Sequence, residues 1–485
     1  MRFYSYHPLI RSAWLLVVLV ALAPMGPLKS AEAGHRNVLL IISDDLTASA
    51  LGCYGNQQVH TPAVDRLAAQ SVRFTRAYCQ FPVCGPSRAA LMSGMYAQSV
   101  GVASNGAATR FSSNLGSRVS MPQMFKEAGW FTARVSKIYH MRVPGDITAG
   151  VDGPDHVASW TERYNCQGPE WMTPGEHEHL TNETLRRDPE AHYNLGFGGA
   201  FYVVRSEGDG SEQPDAQAAA KAIELMRRHR EEPFFLAVGL VRPHVPLVSP
   251  AASFQPYPPS AMRLPGQVEN DWRDIPEAGI SKNSRAIGLD GSPIRKQKVL
   301  SAYYAAVSFM DEQVGRILNE LQTLGLEEQT LVVFTSDHGY HLGEHEFWQK
   351  MSLHEESTRV PLVIRMPGVQ ASESHSLVEA IDLFPTLAEW AGLPVPEHCQ
   401  GVSLLPALRN PSVRVRQDAY AFRGNGHLLR TERWAYLQYN RGGSELFDME
   451  ADPHQFTNLA EDPEHSAVLS ELKERLALRL RQMTP

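Results

Sequence analysis

Cys84 and Arg88 stand four positions apart in the run Cys84-Gly85-Pro86-Ser87-Arg88, which continues as Ala89-Ala90-Leu91-Met92-Ser93-Gly94. Proline suits a first helical turn, because the N–H it lacks would have no intrahelical partner there. A helix opening here directs unpaired N–H groups and the positive end of its dipole outward, a seat for an oxyanion. Asp44-Asp45 and Asp337-His338 each follow an apolar run closely. Adjacent carboxylates repel unless a cation or an arginine lies between them. Three carboxylates converging on one rim would form a hard-oxygen site suited to Ca2+ or Mg2+. Zinc on His338, His341 and His345 competes, since imidazole suits that ion. Matching carboxylate–histidine motifs are missing elsewhere, so His341 and His345 are expected to orient loops or line the cleft.

The elements that must position these groups show in the hydropathy pattern. Asn37-Val38-Leu39-Leu40-Ile41-Ile42 is a continuous apolar run, the mark of a buried parallel strand, and it ends at Ser43-Asp44-Asp45. Residues 62–70 and 121–129 have the spacing of amphipathic helices. Phe131 to Val135 reads as a strand delivering Ser136-Lys137-Ile138-Tyr139-His140. A helix from Asp215 to Arg230 leads into a strand from Phe234 to Leu240. The prolines of Arg242-Pro243-His244-Val245-Pro246 are expected to end regular structure there. A long helix from about 299 to 324 precedes the strand Thr330 to Thr335, which runs into Ser336-Asp337-His338, and Pro361 to Met366 is a further buried strand. Strands alternating with helices predict an α/β fold, a large, mostly parallel sheet sandwiched by helices. Ligands of such sheets bind beyond the carboxyl ends of the strands, which gathers Asp44, Asp45, His244, Asp337 and His338 on one rim. Residues 150–212 and 250–298 lack periodicity and read as loops. From about residue 396 the pattern shortens to small strands and a last helix, Ala467 to Leu480, predicting a smaller C-terminal α+β subdomain.

The chain of 485 residues exceeds one ordinary core, in keeping with a large domain and a smaller one. Its 43% hydrophobic and 20% charged residues are those of a globular protein. A net charge of −8 argues against a nucleic-acid-coating surface but leaves room for a few cations in one cleft. At the N-terminus, Arg2 and Arg11 precede an apolar run from Ala13 to Ala23, and Ala31-Glu32-Ala33 supplies a small-x-small cleavage pattern. That run is too short for a comfortable membrane span. The expected plan is a signal peptide at 1–33, a catalytic domain at 34–395 and the C-terminal subdomain at 396–485, in a protein exported to a periplasm or secreted without a stable membrane anchor. With Cys84 set aside, Cys53, Cys79, Cys166 and Cys399 allow three pairings in an oxidising compartment.

The Cys-x-Pro-Ser-Arg run at 84–88 resembles the signature of the type I, formylglycine-dependent sulfatases, in which a maturation enzyme oxidises the cysteine to Cα-formylglycine. The stretch from Asp337 through Gly-x-x-Leu-Gly-Glu-His at 339–345 to Trp348 and Lys350 resembles the iduronate-2-sulfatase branch, which carries His at the position of His338 where many sulfatases have Asn. Phe234 to Pro246 resembles the same branch in its strand and its Pro-His-x-Pro ending. Ser136-Lys137-Ile138-Tyr139-His140 is similar to the family's Gly-Lys-x-x-His, with Ser in place of Gly. The likeness covers most of residues 36–460 and is weakest at 150–212 and 250–298.

The resemblance implies an alkaline-phosphatase/sulfatase-like fold and an enzyme that hydrolyses sulfate esters of carbohydrates. It implies one divalent cation, Ca2+ before Mg2+, on Asp44, Asp45, Asp337, His338 and an oxygen of the converted Cys84. A formylglycine hydrate at position 84 would be the nucleophile, with Arg88 stabilising it and its metal surroundings. Lys137 and Lys350 would hold the sulfate oxygens. His244 would be the acid for the departing sugar oxygen and His140 the base that releases sulfate, both titrating near neutrality. The implied partners are a sulfated sugar or polysaccharide fragment and the formylglycine-generating enzyme. A uronate 2-O-sulfate at a chain end is the narrower expectation, its carboxylate met by a cation such as Arg163, Arg186, Arg187 or His192. Two other readings compete. A phosphatase or phosphodiesterase of the alkaline-phosphatase superfamily would need a hydroxyl nucleophile at position 84 and a second metal set. An inactive sulfated-glycan binding protein would be expected to lack one of these Lys or His residues.

Overall fold

A computed structural model describes residues 1–3, 36–181, 200–281, 287, 289, 291–424 and 426–483. The apolar run and cleavage pattern at 13–33 lie outside the described residues, as do Arg11, Arg186, Arg187 and His192. Eight strands make the central sheet: β1 (Asn37–Asp44), β2 (Val72–Tyr78), β3 (Phe131–Ser136), β4 (Glu162–Tyr164), β5 (Phe234–Pro243), β6 (Thr330–Ser336), β7 (Arg359–Arg365) and β8 (Ser372–Glu379). Their order is β8-β2-β7-β6-β1-β5-β3-β4. All run parallel except β7, which is antiparallel to both of its neighbours. Every residue of β1, β5 and β6 is buried, which is why those runs are apolar instead of alternating.

Successive side chains of β1 serve opposite faces. Leu39 and Ile41 pack with helices Pro62–Ala68, Pro214–Arg228 and Pro293–Thr323. Val38, Leu40 and Ile42 pack with helices Cys84–Ser93, Met121–Glu127 and Leu383–Ala391. The sandwich predicted from the alternation of strands and helices is thus the observed one.

Several boundaries differ from expectation. The strand after Phe234 continues through Pro243, because the N–H groups of Val241 and Arg242 find the carboxylate of Asp215 at 2.6 and 2.9 Å. The long helix begins at Pro293, earlier than 299, with proline in its first turn. Residues 150–212 hold more structure than a loop reading allows. They contribute β4 and the strands Gly175–His179 and Tyr202–Ser206, which join Leu247–Pro250 in a separate three-stranded sheet.

The C-terminal segment forms a four-stranded antiparallel sheet of β9 (Asp418–Arg423), β10 (Gly426–Thr431), β11 (Trp434–Tyr439) and β12 (Ser444–Asp448), followed by helix Ser466–Met483. Tyr420, Leu429 and Tyr436 share a core with Phe81, Ala90 and Tyr96, so this sheet leans on the helix that carries Cys84. Residues 35–485 form one compact unit. Among the described residues no helix is long and apolar enough to cross a membrane.

Candidate active site

Strands β6, β1, β5 and β3 are consecutive parallel neighbours, so their carboxyl ends share one rim. β1 ends on Asp44 with Asp45 next, β6 is followed by Asp337 and His338, β5 by His244, and β3 by Lys137 and His140. Backbone detail brings them closer. A Cβ on Gly239 of β5 would sit 2.0 Å from the Lys137 carbonyl oxygen, so only glycine lets the chain at Lys137 pass over that strand. Ser136, where the family pattern has glycine, adopts the left-handed region at φ 60°. Lys350 is delivered by a loop with Gln349 at φ 68° and Met351 at φ 81°. Such conformations cost roughly 1–3 kcal/mol each and persist where the surroundings enforce them.

Cys84 opens its helix facing this rim. Its Sγ lies 3.2 Å from His338 Nε2, 3.3 Å from Lys350 Nζ and 3.9 Å from Asp45 Oδ1. Lys350 Nζ donates to Asp45 Oδ1 at 2.5 Å, and Lys137 Nζ donates to Asp44 Oδ2. The buried Arg88 guanidinium donates to Asp337 Oδ2 at 2.9 Å, to Asp44 Oδ1 at 3.3 Å, and to the carbonyls of Lys137 and Ile138 at 2.5 and 3.2 Å. Asp44, Asp45 and Asp337 thus face Arg88, Lys137 and Lys350, which removes the carboxylate repulsion. A cavity of about 780 Å³ opens on the site, lined among others by Cys84, Lys137, His140, His244 and Lys350.

Burial sets the proton states. It would raise the Asp44 carboxyl, but Lys137, His244 and Arg88 hold that group well below the usual range. Asp45 is lowered in the same way against burial, by His244 and Lys350. Burial first, then Asp44, pushes the Cys84 thiol up, so it stays protonated and is a poor nucleophile. Lys350 is held above its ordinary value by Asp45 and Cys84 although burial opposes it. The expectation that the two histidines titrate near neutrality fails. Burial, assisted by Lys137, drives His140 well below its usual value, and burial brings His244 to about 3.

One donor from each of Asp44, Asp45, Cys84 and His338 falls within 4.8 Å of the others. His338 Nδ1 donates to the Gly339 carbonyl at 2.9 Å, which fixes the tautomer whose Nε2 lone pair faces the group. Asp45 Oδ2 is buried without a hydrogen-bond partner among the described residues. These features fit a divalent cation. Asp337, expected among the ligands, stands outside the tight group, with Oδ1 3.7 Å from His338 Nε2. Its oxygens are engaged by Arg88 and by the N–H groups of His338 and Asp45, at 3.0 and 3.3 Å for the latter two. His341 and His345 do not line the reaction cavity. They tie loops together, through Ser352 Oγ at 2.8 Å and Asp271 Oδ2 at 2.7 Å, and the zinc triad with His338 is not assembled.

Sequence reasoning missed what holds His244. Arg242, wholly buried, donates to both oxygens of Glu170 at 2.5 Å and to the carbonyls of His244 and Pro246 at 2.8 and 2.7 Å. An arginine closing an apolar strand was the available signal; nothing marked Glu170. Asn105 was also missed: its Oδ1 accepts the Gly85 N–H at 2.8 Å, and it lines the cavity. Arg163 is not free for a sugar carboxylate, since Asp152 and Asp155 lie 2.7 and 3.5 Å from its guanidinium. All five cysteines are free thiols in this structure.

The family described as Sulfatase matches residues 36–393, and that described as N-sulphoglucosamine sulphohydrolase, C-terminal, matches residues 343–482. An iduronate 2-sulfatase of Mus musculus is 34% identical over 418 residues, covering 77% of this chain and 72% of that protein. A sulfatase of Formosa agariphila is 29% identical over 460 residues, covering 91% and 86%. A solved structure in complex with its substrate D-glucosamine-2-N,6-O-disulfate aligns with a TM-score of 0.72 at 22% identity, covering 93% of this chain and 98% of that one. The phosphonate monoester hydrolase of Agrobacterium radiobacter aligns at 0.73 and 24% identity, over 92% and 96%, a likeness of fold.

Proposed function

The chain belongs to the sulfatase family, near the iduronate 2-sulfatases, and from that premise we propose that it strips sulfate from a sulfated sugar using a formylglycine made from Cys84 and one Ca2+ ion. It is a sulfuric ester hydrolase. The observation that carries the mechanism is the convergence of Lys350, His338 and Asp45 on a cysteine whose thiol is held protonated.

The converted residue 84 would supply an oxygen nucleophile, and a cation on Asp44, Asp45 and His338, bordered by Asp337, would acidify that oxygen and polarise the ester. Every other step belongs to side chains already in place. Lys137 and Lys350 line the cavity with ammonium groups that can donate charge-assisted hydrogen bonds to sulfate. Arg88 is a positioning residue, its fork fixing Asp44, Asp337 and the chain at Lys137. His244 Nδ1 donates to the Val245 carbonyl at 2.5 Å, leaving Nε2 directed at the site, 3.7 Å from Asp45 Oδ2. It is neutral in the resting protein, so it takes a proton from solvent as the anionic ester arrives and passes it to the departing sugar oxygen. His140, neutral and with Nδ1 unpartnered among the described residues, receives the proton that leaves residue 84 when sulfate departs.

Ca2+ is proposed because, once residue 84 offers oxygen, three of the four grouped donors are oxygens, two of them carboxylate, against the one nitrogen of His338. Export with removal of residues 1–33, to a periplasm or the cell exterior, and maturation by a formylglycine-generating enzyme complete the proposal. The sugar is proposed to be a uronate carrying a 2-O-sulfate. The test is sulfate release by protein whose Cys84 peptide has the aldehyde mass, from an aryl sulfate and a panel of sulfated saccharides, with phosphate and phosphonate esters beside them. Sulfate release from saccharides is expected. Turnover of phosphorus esters alone would overturn the proposal, and cleavage of sulfated algal sugars but not sulfated uronates would remove only the narrower substrate.

A further inference from the structure

A second cavity, of about 1200 Å³, adjoins the reaction cavity. The two share Val83, Asn105, Gly106 and Met351 in their walls, so they are contiguous. The far wall of the second is built by the C-terminal sheet, from Arg423 and Gly424 at the β9–β10 turn and Arg441 and Gly442 at the β11–β12 turn. In a four-stranded antiparallel sheet the first and third turns fall at the same end, which is why two residues distant in sequence line one space. Gly424 and Gly442 take φ of 57° and 97°, and a Cβ on either would meet nothing within 4 Å, so the turns leave the wall open.

Neither Arg423 nor Arg441 has an ion pair or a hydrogen bond from its guanidinium among the described residues. The cations nearest the reaction cavity are different: Lys137 and Lys350 are paired with Asp44 and Asp45, and Arg142 with Asp146 at 2.9 Å. Glu277, the acidic side chain on the second cavity's wall, is not free and forms no ion pair with either arginine. Arg423 is partly buried, and desolvation lowers its pKa with only Tyr439 opposing. Withdrawing a guanidinium from water without an anion beside it is unfavourable. The cost is offset if a ligand supplies the anion, and the planar fork suits carboxylate and sulfate alike.

We propose that Arg423 and Arg441 form a subsite for a second anionic group, on the sugar adjoining the one that loses its sulfate. The substrate class is then a polyanionic oligosaccharide, selected by the C-terminal sheet. This rests on the sulfatase reading and deepens it. It adds two hairpin turns to the sources of selectivity expected in the 150–212 and 250–298 segments.

The test compares kcat/KM for 4-methylumbelliferyl sulfate with that for sulfated disaccharides sharing one scissile sulfate, whose second sugar is neutral, carboxylated or sulfated. Arg423→Gln, Arg441→Gln, the double variant and the conservative Arg423→Lys are measured at two salt concentrations. The expected result is a fall in the ratio of dianionic-disaccharide to aryl-sulfate kcat/KM of roughly tenfold to a hundredfold, the range for losing a charge-assisted hydrogen bond. The fall should appear mainly in KM, be smaller for Arg423→Lys, and leave the neutral-disaccharide ratio in place. Loss confined to the carboxylated or to the sulfated arm identifies which anion the subsite takes. A ratio within about twofold of wild type for both dianions overturns the subsite, as does an equal loss on every substrate, since a structural role would lower all of them. Wild-type protein that cleaves the aryl sulfate but none of the disaccharides also overturns it. Failure on every sulfate ester, by contrast, is failure of the sulfatase reading itself.

Discussion

Replacing Lys350 with methionine keeps the side chain's length and removes its charge. In the structure Nζ lies 2.5 Å from Asp45 Oδ1 and 3.3 Å from Cys84 Sγ, and the side chain is only 12% exposed. Two consequences differ in sign. For Asp45, the partners left are the imidazoles of His338 at 3.3 Å and His244 at 3.7 Å and the uncharged residue 84, whose sulfur lies 3.9 Å away. Stranding a buried carboxylate costs about 3–5 kcal/mol unless another cation compensates it. A bound divalent ion is such a cation, so the variant should hold its metal at least as tightly as wild type. For the substrate, one charge-assisted donor to sulfate is lost, worth about 1.5–3 kcal/mol net. An upper bound of about 4 kcal/mol follows for a unit charge at 4 Å and an effective dielectric near 20. At about 1.4 kcal/mol per decade, kcat/KM should fall between about tenfold and a thousandfold. The assay is aryl-sulfate turnover by variant and wild type matched for formylglycine content by peptide mass, with metal per chain measured on the same samples. A variant within about threefold of wild type, under about 1 kcal/mol, would show that Lys350 does not bind sulfate. Loss of metal together with activity would refute the charge argument for Asp45.

Three other outcomes follow from the same structure. Protein purified without added metal should contain one Ca2+ per chain by elemental analysis, and stoichiometric zinc would count against the hard-oxygen site. Asp311 accepts the N–H groups of Ala63 and Val64 at 2.9 and 2.8 Å, at the start of helix Pro62–Ala68. Asp311→Ala should therefore lower stability by about 1–3 kcal/mol, and an unchanged urea midpoint would deny it the capping role. Burial raises the Asp311 pKa from 3.8 to about 6, so its contribution is full below pH 3.8 and declines as pH rises through 6; the gap between wild type and variant should widen on acidification. If residues 1–33 are removed on export as proposed, N-terminal sequencing of the native protein should begin near Gly34, and a retained apolar run would make that segment an anchor instead.

What the sequence made legible follows from burial on both faces of the sheet. A strand covered by helices above and below is apolar along its length, so β1, β5 and β6 stand out as unbroken runs, and the polar residue that breaks each run marks its carboxyl end. Asp44, Asp45, Asp337 and His338 come together because β6 and β1 are neighbours, and His244 joins them because β5 is the next strand. Pairing between distant segments carries no such mark. β8 is an edge strand whose polar residues outnumber Leu377 and Val378, and Gly175–His179 alternates His with Glu as a solvated loop would. The direction of β7 depends on its partners and not on its own composition.

Charge state is hidden for the same reason. Residue type identifies Arg163 as a cation but not the two aspartates beside it, and Arg423 and Arg441 resemble ordinary turn residues until the fold shows neither in an ion pair among the described residues. An imidazole suggests titration near neutrality, yet the walls around His140 and His244 keep both neutral far below it. Cys84 states the case most fully. Lys350 stands 3.3 Å from its sulfur and the helix N-terminus adds positive potential, surroundings that ordinarily yield a thiolate, while burial and Asp44 hold the proton on. A cradle built for an anion around a thiol that does not ionise is a mismatch for sulfur chemistry. Exchange of that sulfur for oxygen removes the mismatch, because the neighbouring carboxylates and His338 then address a hard donor that a bound cation can acidify.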